Sequence, residues 1–171
     1  MWWCVRLMEH EMNAGAKLAK ADNLLFLHAD TKLPAYTLLE LQRFSASKLV
    51  WGRFNVQLNN PAWPYKIISW FINKRSKLTS IATGDQAIFI KRNVFESING
   101  YVEQPLMEDV AISCELKKIS APYCSLSTVT TSARKWEREG IIKTVWLMWK
   151  LRAAYALGVC PNKLVKVYYK L

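Results

Sequence analysis

The sequence predicts an α/β protein, a sheet flanked by helices. Three observations carry this. Short apolar runs alternate with longer stretches of helical pattern along the chain. Of 171 residues, 51% are hydrophobic and 22% charged, enough to build a core and too apolar for wholesale disorder. No repeat, low-complexity tract or Gly/Ser linker interrupts the chain, and its length is that of one domain over 1–171, with a basic, aromatic helical segment at 139–171.

The elements follow in order. A helix is expected near 9–21, containing Asn13, Gly15 and Leu18. Asn23 to His28 reads as a buried strand, an apolar run that ends in polar residues. Pro34 suits the first turn of a helix near 34–46. Leu49 to Leu58 alternates partially, as a strand does. Pro61 and Pro64 precede an amphipathic helix near 65–77. Ala87 to Ile90 is a second apolar strand, and a short helix from Asn93 stops at Asn99-Gly100. Residues 107–119 are expected as helix and 123–131 as a Thr/Ser/Val strand. A long helix over 139–158 ends at Gly158, with Pro161 just beyond.

Charge is unevenly spread. The chain carries 24 Lys and Arg against 13 Asp and Glu, a net +11, and residues 132–171 hold nine of the cations against two Glu. A basic end suits an anionic partner such as a nucleotide diphosphate, a nucleic acid or an anionic lipid surface, although a solvated basic face accounts for it equally well. The four cysteines, 4, 114, 124 and 160, show no C-x-x-C spacing and no neighbouring His. Neither a zinc site nor a disulfide framework is expected, and free buried thiols in a reducing cytosol are the simplest account. No signal peptide is visible, and no uncharged run of about eighteen apolar residues marks a membrane span.

The sharpest local signal is Leu24-Leu25-Phe26-Leu27-His28-Ala29-Asp30-Thr31. A buried strand delivers His28 and Asp30 to its carboxyl end, where open α/β sheets bind ligands. An imidazole and a carboxylate there can hold Mg²⁺ or Mn²⁺. The competing account is that Asp30 or Thr31 caps the following helix. Thr83-Gly84-Asp85-Gln86 precedes the next strand. Met107-Glu108-Asp109 opens a helix whose positive end stabilises both carboxylates. Ser132-Ala133-Arg134-Lys135-Trp136 sets two cations beside an indole.

Together, Asn13-x-Gly15, Leu25 to Asp30, Gly84-Asp85-Gln86 and Glu108-Asp109 resemble the inverting family 2 glycosyltransferases of GT-A type. More narrowly, Phe26-Leu27-His28-Ala29-Asp30-Thr31-x-Leu33-Pro34, Trp51-Gly52-Arg53-Phe54, Met107-Glu108-Asp109 and Thr131-Ser132-Ala133-Arg134 resemble a bacterial subfamily of arsenosugar-biosynthesis or radical-SAM-associated transferases. The match runs from about Asn13 to Tyr168.

The resemblance implies a GT-A-like, mixed but mostly parallel sheet between helices, incomplete at its N-terminus. It implies Asp30 as the ligand of a divalent metal, Mg²⁺ or Mn²⁺, with His28 beside it. Asp109 is implied as general base, with Glu108 next to it in the motif. Asn13 and Gly15 are implied near the nucleotide, and Gly84, Asp85 and Gln86 along the sugar and acceptor pocket. Arg134 and Trp136 are similar to the Arg-Trp pair that meets the diphosphate in processive relatives.

Three features depart from the family pattern. His28 stands where many members have Asp. The Gly usual ahead of the strand is replaced within Ala19 to Asp22. The family's opening strand–helix–strand, which grips base and ribose, has no counterpart, and Met1-Trp2-Trp3-Cys4 does not resemble it.

The implied partners are a nucleotide-sugar donor and an acceptor hydroxyl. A truncated sheet is expected to leave the Leu24–Leu27 edge open, to invite self-association and to be inactive by itself. For residues 141–158 a packed helix is the simpler account, with peripheral contact to anionic lipid as the alternative. The implied location is cytoplasmic, either free or at the inner face of the membrane. Two other classes stay open: a non-catalytic interaction protein of glycosyltransferase descent, and a basic nucleic-acid-binding module. The latter shows no recognition signature, and its acidic tips would repel phosphates.

Overall fold

The first helix, α1 (Met8–Leu18), runs into a four-residue strand, β1 (Asn23–Phe26), whose Leu24 and Phe26 are buried. This opening belongs to a computed structural model that describes residues 8–169; the N-terminal Met1 to Cys4 segment lies outside them. Helix α2 (Thr37–Ala46) begins three residues after Pro34, because the Pro34 carbonyl accepts from both the backbone and the hydroxyl of Thr37 and closes a separate turn. Strand β2 (Trp51–Leu58) is followed by α3 (Trp63–Thr79), which starts earlier than periodicity suggests because Pro64 fits its first turn. A 3-10 turn (Gly84–Gln86) leads into β3 (Ile88–Lys91) and α4 (Arg92–Ser97), after which Asn99 and Gly100 take left-handed backbone. Helix α5 (Glu108–Ile119) and strand β4 (Tyr123–Thr131) lie where their patterns predict.

The expected helix over 139–158 is divided. Gly140, at φ 84°, separates α6 (Arg134–Glu139) from α7 (Ile141–Ala156). A further helix, α8 (Pro161–Tyr169), starts on the proline just beyond the expected helix end at Gly158. Proline lacks an N–H and ends one helix, but at a first turn it can equally open the next.

The four strands form a mixed sheet in the order β1-β3-β2-β4. β3 pairs antiparallel with β1 and β2, and only β2 with β4 is parallel. The expectation of a mostly parallel sheet is therefore corrected among the described residues. Register explains the central position of β2: a Cβ on Gly52 would lie 2.3 Å from the Phe89 ring and 2.5 Å from the Tyr123 carbonyl oxygen. Glycine lets β3 and β4 close in on both sides. β1 forms one edge of the sheet.

Two apolar clusters cover the sheet. One gathers Leu24, Phe26, Trp51, Ile88, Ile90, Ile112 and Leu116; the other holds Phe44, Phe54, Val56, Phe89 and Val129. A third joins Leu58, Ile68 and Ala133 to Trp136 and Ile141, and a fourth packs Leu151 and Leu164 on Met107. The C-terminal helices thus dock by their inner sides onto the start of α5. No helix of the described residues is long and apolar enough to cross a membrane. Cys114 and Cys124 are half-buried and Cys160 is exposed, all three free, so the expectation of buried thiols is corrected for these. Cys4 lies outside the described residues.

Candidate functional site

The site is built where β1 and β4 end. β1 finishes at Phe26, and a turn in which Thr31 donates its N–H to the His28 carbonyl (3.0 Å) folds Asp30 back beside His28. A turn, rather than strand alternation, brings these two residues together. The loop is then fixed to β4 by paired backbone bonds between Lys32 and Thr130, 2.7 and 3.0 Å, and the Thr31 hydroxyl donates to Thr131 Oγ1 at 3.1 Å. Neither Asp30 nor Thr31 caps α2, which has Tyr36 at its start and no side-chain cap.

Asp85 enters from the 3-10 turn. Its Oδ1 lies 3.7 Å from His28 Nδ1 and accepts a 3.4 Å hydrogen bond from the Thr131 hydroxyl. Ligand atoms of His28, Asp30 and Asp85 all fall within 4.8 Å of one another. Ligands about 2.1 Å from one octahedral ion lie about 3–4 Å apart, so with a small contraction the group could hold a divalent cation. One ring nitrogen with two carboxylates suits Mn²⁺ better than Mg²⁺. Asp85, expected along the sugar and acceptor pocket, thus stands beside His28 and Asp30, where it could serve as a third donor. Burial pushes its carboxyl up, the His28 imidazole opposes this, and the Asp30 charge adds to it. The side chain still keeps 47% of its surface accessible, so solvent screens it in part.

Gly84 connects this group to Asp109. A Cβ on Gly84 would stand 1.9 Å from His28 Nε2, a buried nitrogen without a hydrogen-bond partner. The Gly84 N–H meanwhile donates to Asp109 Oδ2 at 3.2 Å, and the Val110 N–H donates to Oδ1 at 2.7 Å. Burial raises the Asp109 carboxyl above its ordinary range against these two bonds. Glu108 beside it is more deeply buried, so Asp109 is the more accessible carboxylate of the pair. Both segments pass through unusual backbone: Met107, before α5, has φ 69°, and Ala87, after the 3-10 turn, φ 47°. Non-glycine residues held there cost about 1–3 kcal/mol each, and such strain clusters at functional sites.

Several expected residues do other things. Gln86 is fully buried; its Nε2 reaches Phe54 O and Asn73 Oδ1, and its Oε1 accepts from Thr83 N–H. It shapes the turn, with its side chain closed off from solvent. Asn13 clips the Tyr101 backbone with two 2.9 Å bonds and lines a groove of about 610 Å³ with Lys17, Arg92 and Glu96, to which no residue of the acidic group contributes. Gly15 lies exposed on α1 with open space beside it. The Arg134–Trp136 pair is split, because positions two apart on a helix point nearly opposite ways. Arg134 bonds Ser132 at the surface, while Trp136 packs with Leu58 and Ile68.

Lys135, between them, is the cation whose charge reaches Asp85, and burial lowers its pKa. Its Nζ sits 3.3 Å above the Tyr168 ring, and the Tyr168 hydroxyl is pushed up to about 12, chiefly by burial. On the other side, Arg75 has a buried Nη2 without a hydrogen-bond partner, and the charges of Asp109 and Arg53 both act on it. Sequence reasoning missed Thr131, Lys135 and Arg75. Thr131 and Lys135 stood in segments already singled out, and Arg75 did not.

No protein-family model matches the chain, and no curated protein is significantly similar to it. What the fold and site define is therefore a class: an α/β protein with a mixed four-stranded sheet and a His/Asp/Asp group at its strand ends.

Proposed function

We propose that this protein moves a sugar from a nucleotide-diphosphate donor to an acceptor hydroxyl with inversion. The observation that carries the reading is the pairing, through Gly84, of a metal-type donor group with a carboxylate whose pKa burial has raised. Asp109 is the general base: it accepts the acceptor's hydroxyl proton while that oxygen attacks the anomeric carbon from the face opposite the leaving group. The bond to the diphosphate oxygen breaks as the new glycosidic bond forms. Backbone N–H groups on both Asp109 oxygens hold the carboxylate still, and the raised pKa makes it a stronger proton acceptor than an ordinary aspartate. A divalent ion on His28, Asp30 and Asp85 would supply positive charge for the diphosphate. Lys135 adds a cation on the same side.

The test is release of nucleoside diphosphate from a panel of sugar nucleotides with Mn²⁺ and simple hydroxyl acceptors. Asp109→Asn is expected to lower turnover by about 10²–10⁴-fold with the fold intact. Turnover of that variant at the parent rate removes Asp109 as base. Sugar-nucleotide binding by the parent chain that Mn²⁺ does not strengthen removes the reading.

A further inference from the structure

Two helices present apolar faces to solvent that the site does not use. On α3, the inner side is fixed to β2: Ser69 Oγ accepts from Leu58 N–H, and Asn73 exchanges two 2.9 Å bonds with Val56. At 100° per residue the outer side then carries Trp63, Ile67, Trp70 and Phe71, all exposed, together with Lys66 and Lys74. Trp70 and Phe71 stack edge to face at 5.0 Å, and Lys74 Nζ lies 5.7 Å from the Trp70 ring.

On α7, Thr144 and Leu151 face inward. The opposite side carries Ile142, Trp146 and Trp149, bordered by Lys143 and Lys150. Trp63, Trp146 and Trp149 keep 72%, 71% and 73% of their surface exposed, far more than a packing role would leave. Tyr65 and Ile72 of α3 and Ile141 of α7 pack against the same cluster of Leu58, Ile68 and Ala133, so one apolar core supports both helices.

We infer that α3 and α7 together form a docking surface for an anionic lipid bilayer. Charge selects the occupant. Neither helix contains an Asp or a Glu, so nothing on them opposes a negative surface. A second copy of this face would set lysines against lysines in a chain already at +11. Side-chain type points the same way. Indole rings favour the headgroup level, and lysine stems lie along apolar surface while their ammonium groups reach the phosphates. The face is amphipathic and basic, with tryptophan at its centre, as in helices that lie in the plane of a membrane. This surface does not depend on the transferase reading, and its test needs no sugar chemistry.

The experiment is co-sedimentation of the whole chain with vesicles of phosphatidylcholine, alone or with about 30% phosphatidylserine, at low and high salt. Tryptophan quenching by brominated lipid reports depth. Binding is expected only with the anionic vesicles, with quenching, and weaker at high salt. Trp63→Ser with Trp70→Ser is expected to weaken it by tenfold or more. Lys66→Gln with Lys74→Gln is expected to weaken it about fivefold per lysine. Both variants alter exposed positions and should keep the parent circular dichroism. No sedimentation with anionic vesicles overturns the inference. So does sedimentation without quenching that the Trp changes leave unaltered. So does vesicle-free self-association that those same changes abolish, which would identify a second copy as the occupant.

Discussion

Residues 84–90 pass from a partly exposed polar turn to a fully buried apolar strand within seven residues. In β3, Ile88, Phe89 and Ile90 are sealed between β1 and β2, and Phe89 packs its ring on Phe44 and Phe54 at 4.7 and 5.3 Å. In the turn just before it, Asp85 and the Asp109 it neighbours are held with their carboxyl pKa values raised, and the His28 nitrogen facing Gly84 is buried without a partner. The strand gains free energy from burial, and the turn gives some of it up. Carboxylates crowded together are unfavourable by themselves, and the buried strand β3 anchors the turn that carries Asp85. Electrostatic cost placed beside a rigid apolar strand is what a preorganised site looks like.

Removing the anchor should have the largest effect. Phe89→Ala is expected to cost about 3–5 kcal/mol, read by denaturant unfolding, since three aromatic rings lose contacts at once. If the folded fraction of that variant still binds Mn²⁺ like the parent, strand and turn are separable. If binding falls in step with stability, the strand sets the site's geometry.

Gly84→Ala should act on the turn instead. The added carbon must displace the His28 ring, so Mn²⁺ affinity is expected to fall about 10–100-fold by isothermal titration, with only about 1–3 kcal/mol lost in stability. Unchanged Mn²⁺ affinity would mean that His28 takes no part in binding.

The Asp109 carboxyl separates cost from use. Its folded pKa is raised, so the folded chain binds more protons than the unfolded one over a window that opens at the ordinary carboxylate range. Stability should therefore fall as pH rises through that window, up to the elevated folded value. In Asp109→Asn this slope should shrink without vanishing, because Asp85 shifts in the same direction. Urea midpoints measured across that range decide it, and an unchanged slope would place the cost elsewhere. The smallest effect is expected for Thr131→Val. It deletes one 3.4 Å bond to Asp85 and the 3.1 Å link from Thr31, about 0.5–1.5 kcal/mol, and should push the Asp85 carboxyl higher still in an NMR titration.

Much of the architecture was legible in residue order. β4 matches its predicted range, and α5 starts at the carboxylate pair that the helix dipole favours. These are local matters, decided by side-chain branching, by proline and glycine, and by charge at helix ends. The strong candidates His28, Asp30, Asp85 and Asp109 were legible for the same reason, since polar residues at the end of an apolar strand or the start of a helix stand out against their neighbours.

What only the tertiary structure decided depends on partners distant in sequence. Strand direction was one case. The period of an apolar run is the same in parallel and antiparallel pairing, so nothing in Ala87 to Ile90 announced that β3 runs opposite to both neighbours. The inward turn of Gln86, the clip from Asn13 to Tyr101, and the choice of Lys135 over Arg134 as the cation near Asp85 were others. A side chain's local sequence states what it can donate, accept or neutralise. Which atom lies opposite it is settled by packing across tens of residues, and at this site that packing set Asp85 beside His28 and Asp30 and made Gly84 the link to Asp109.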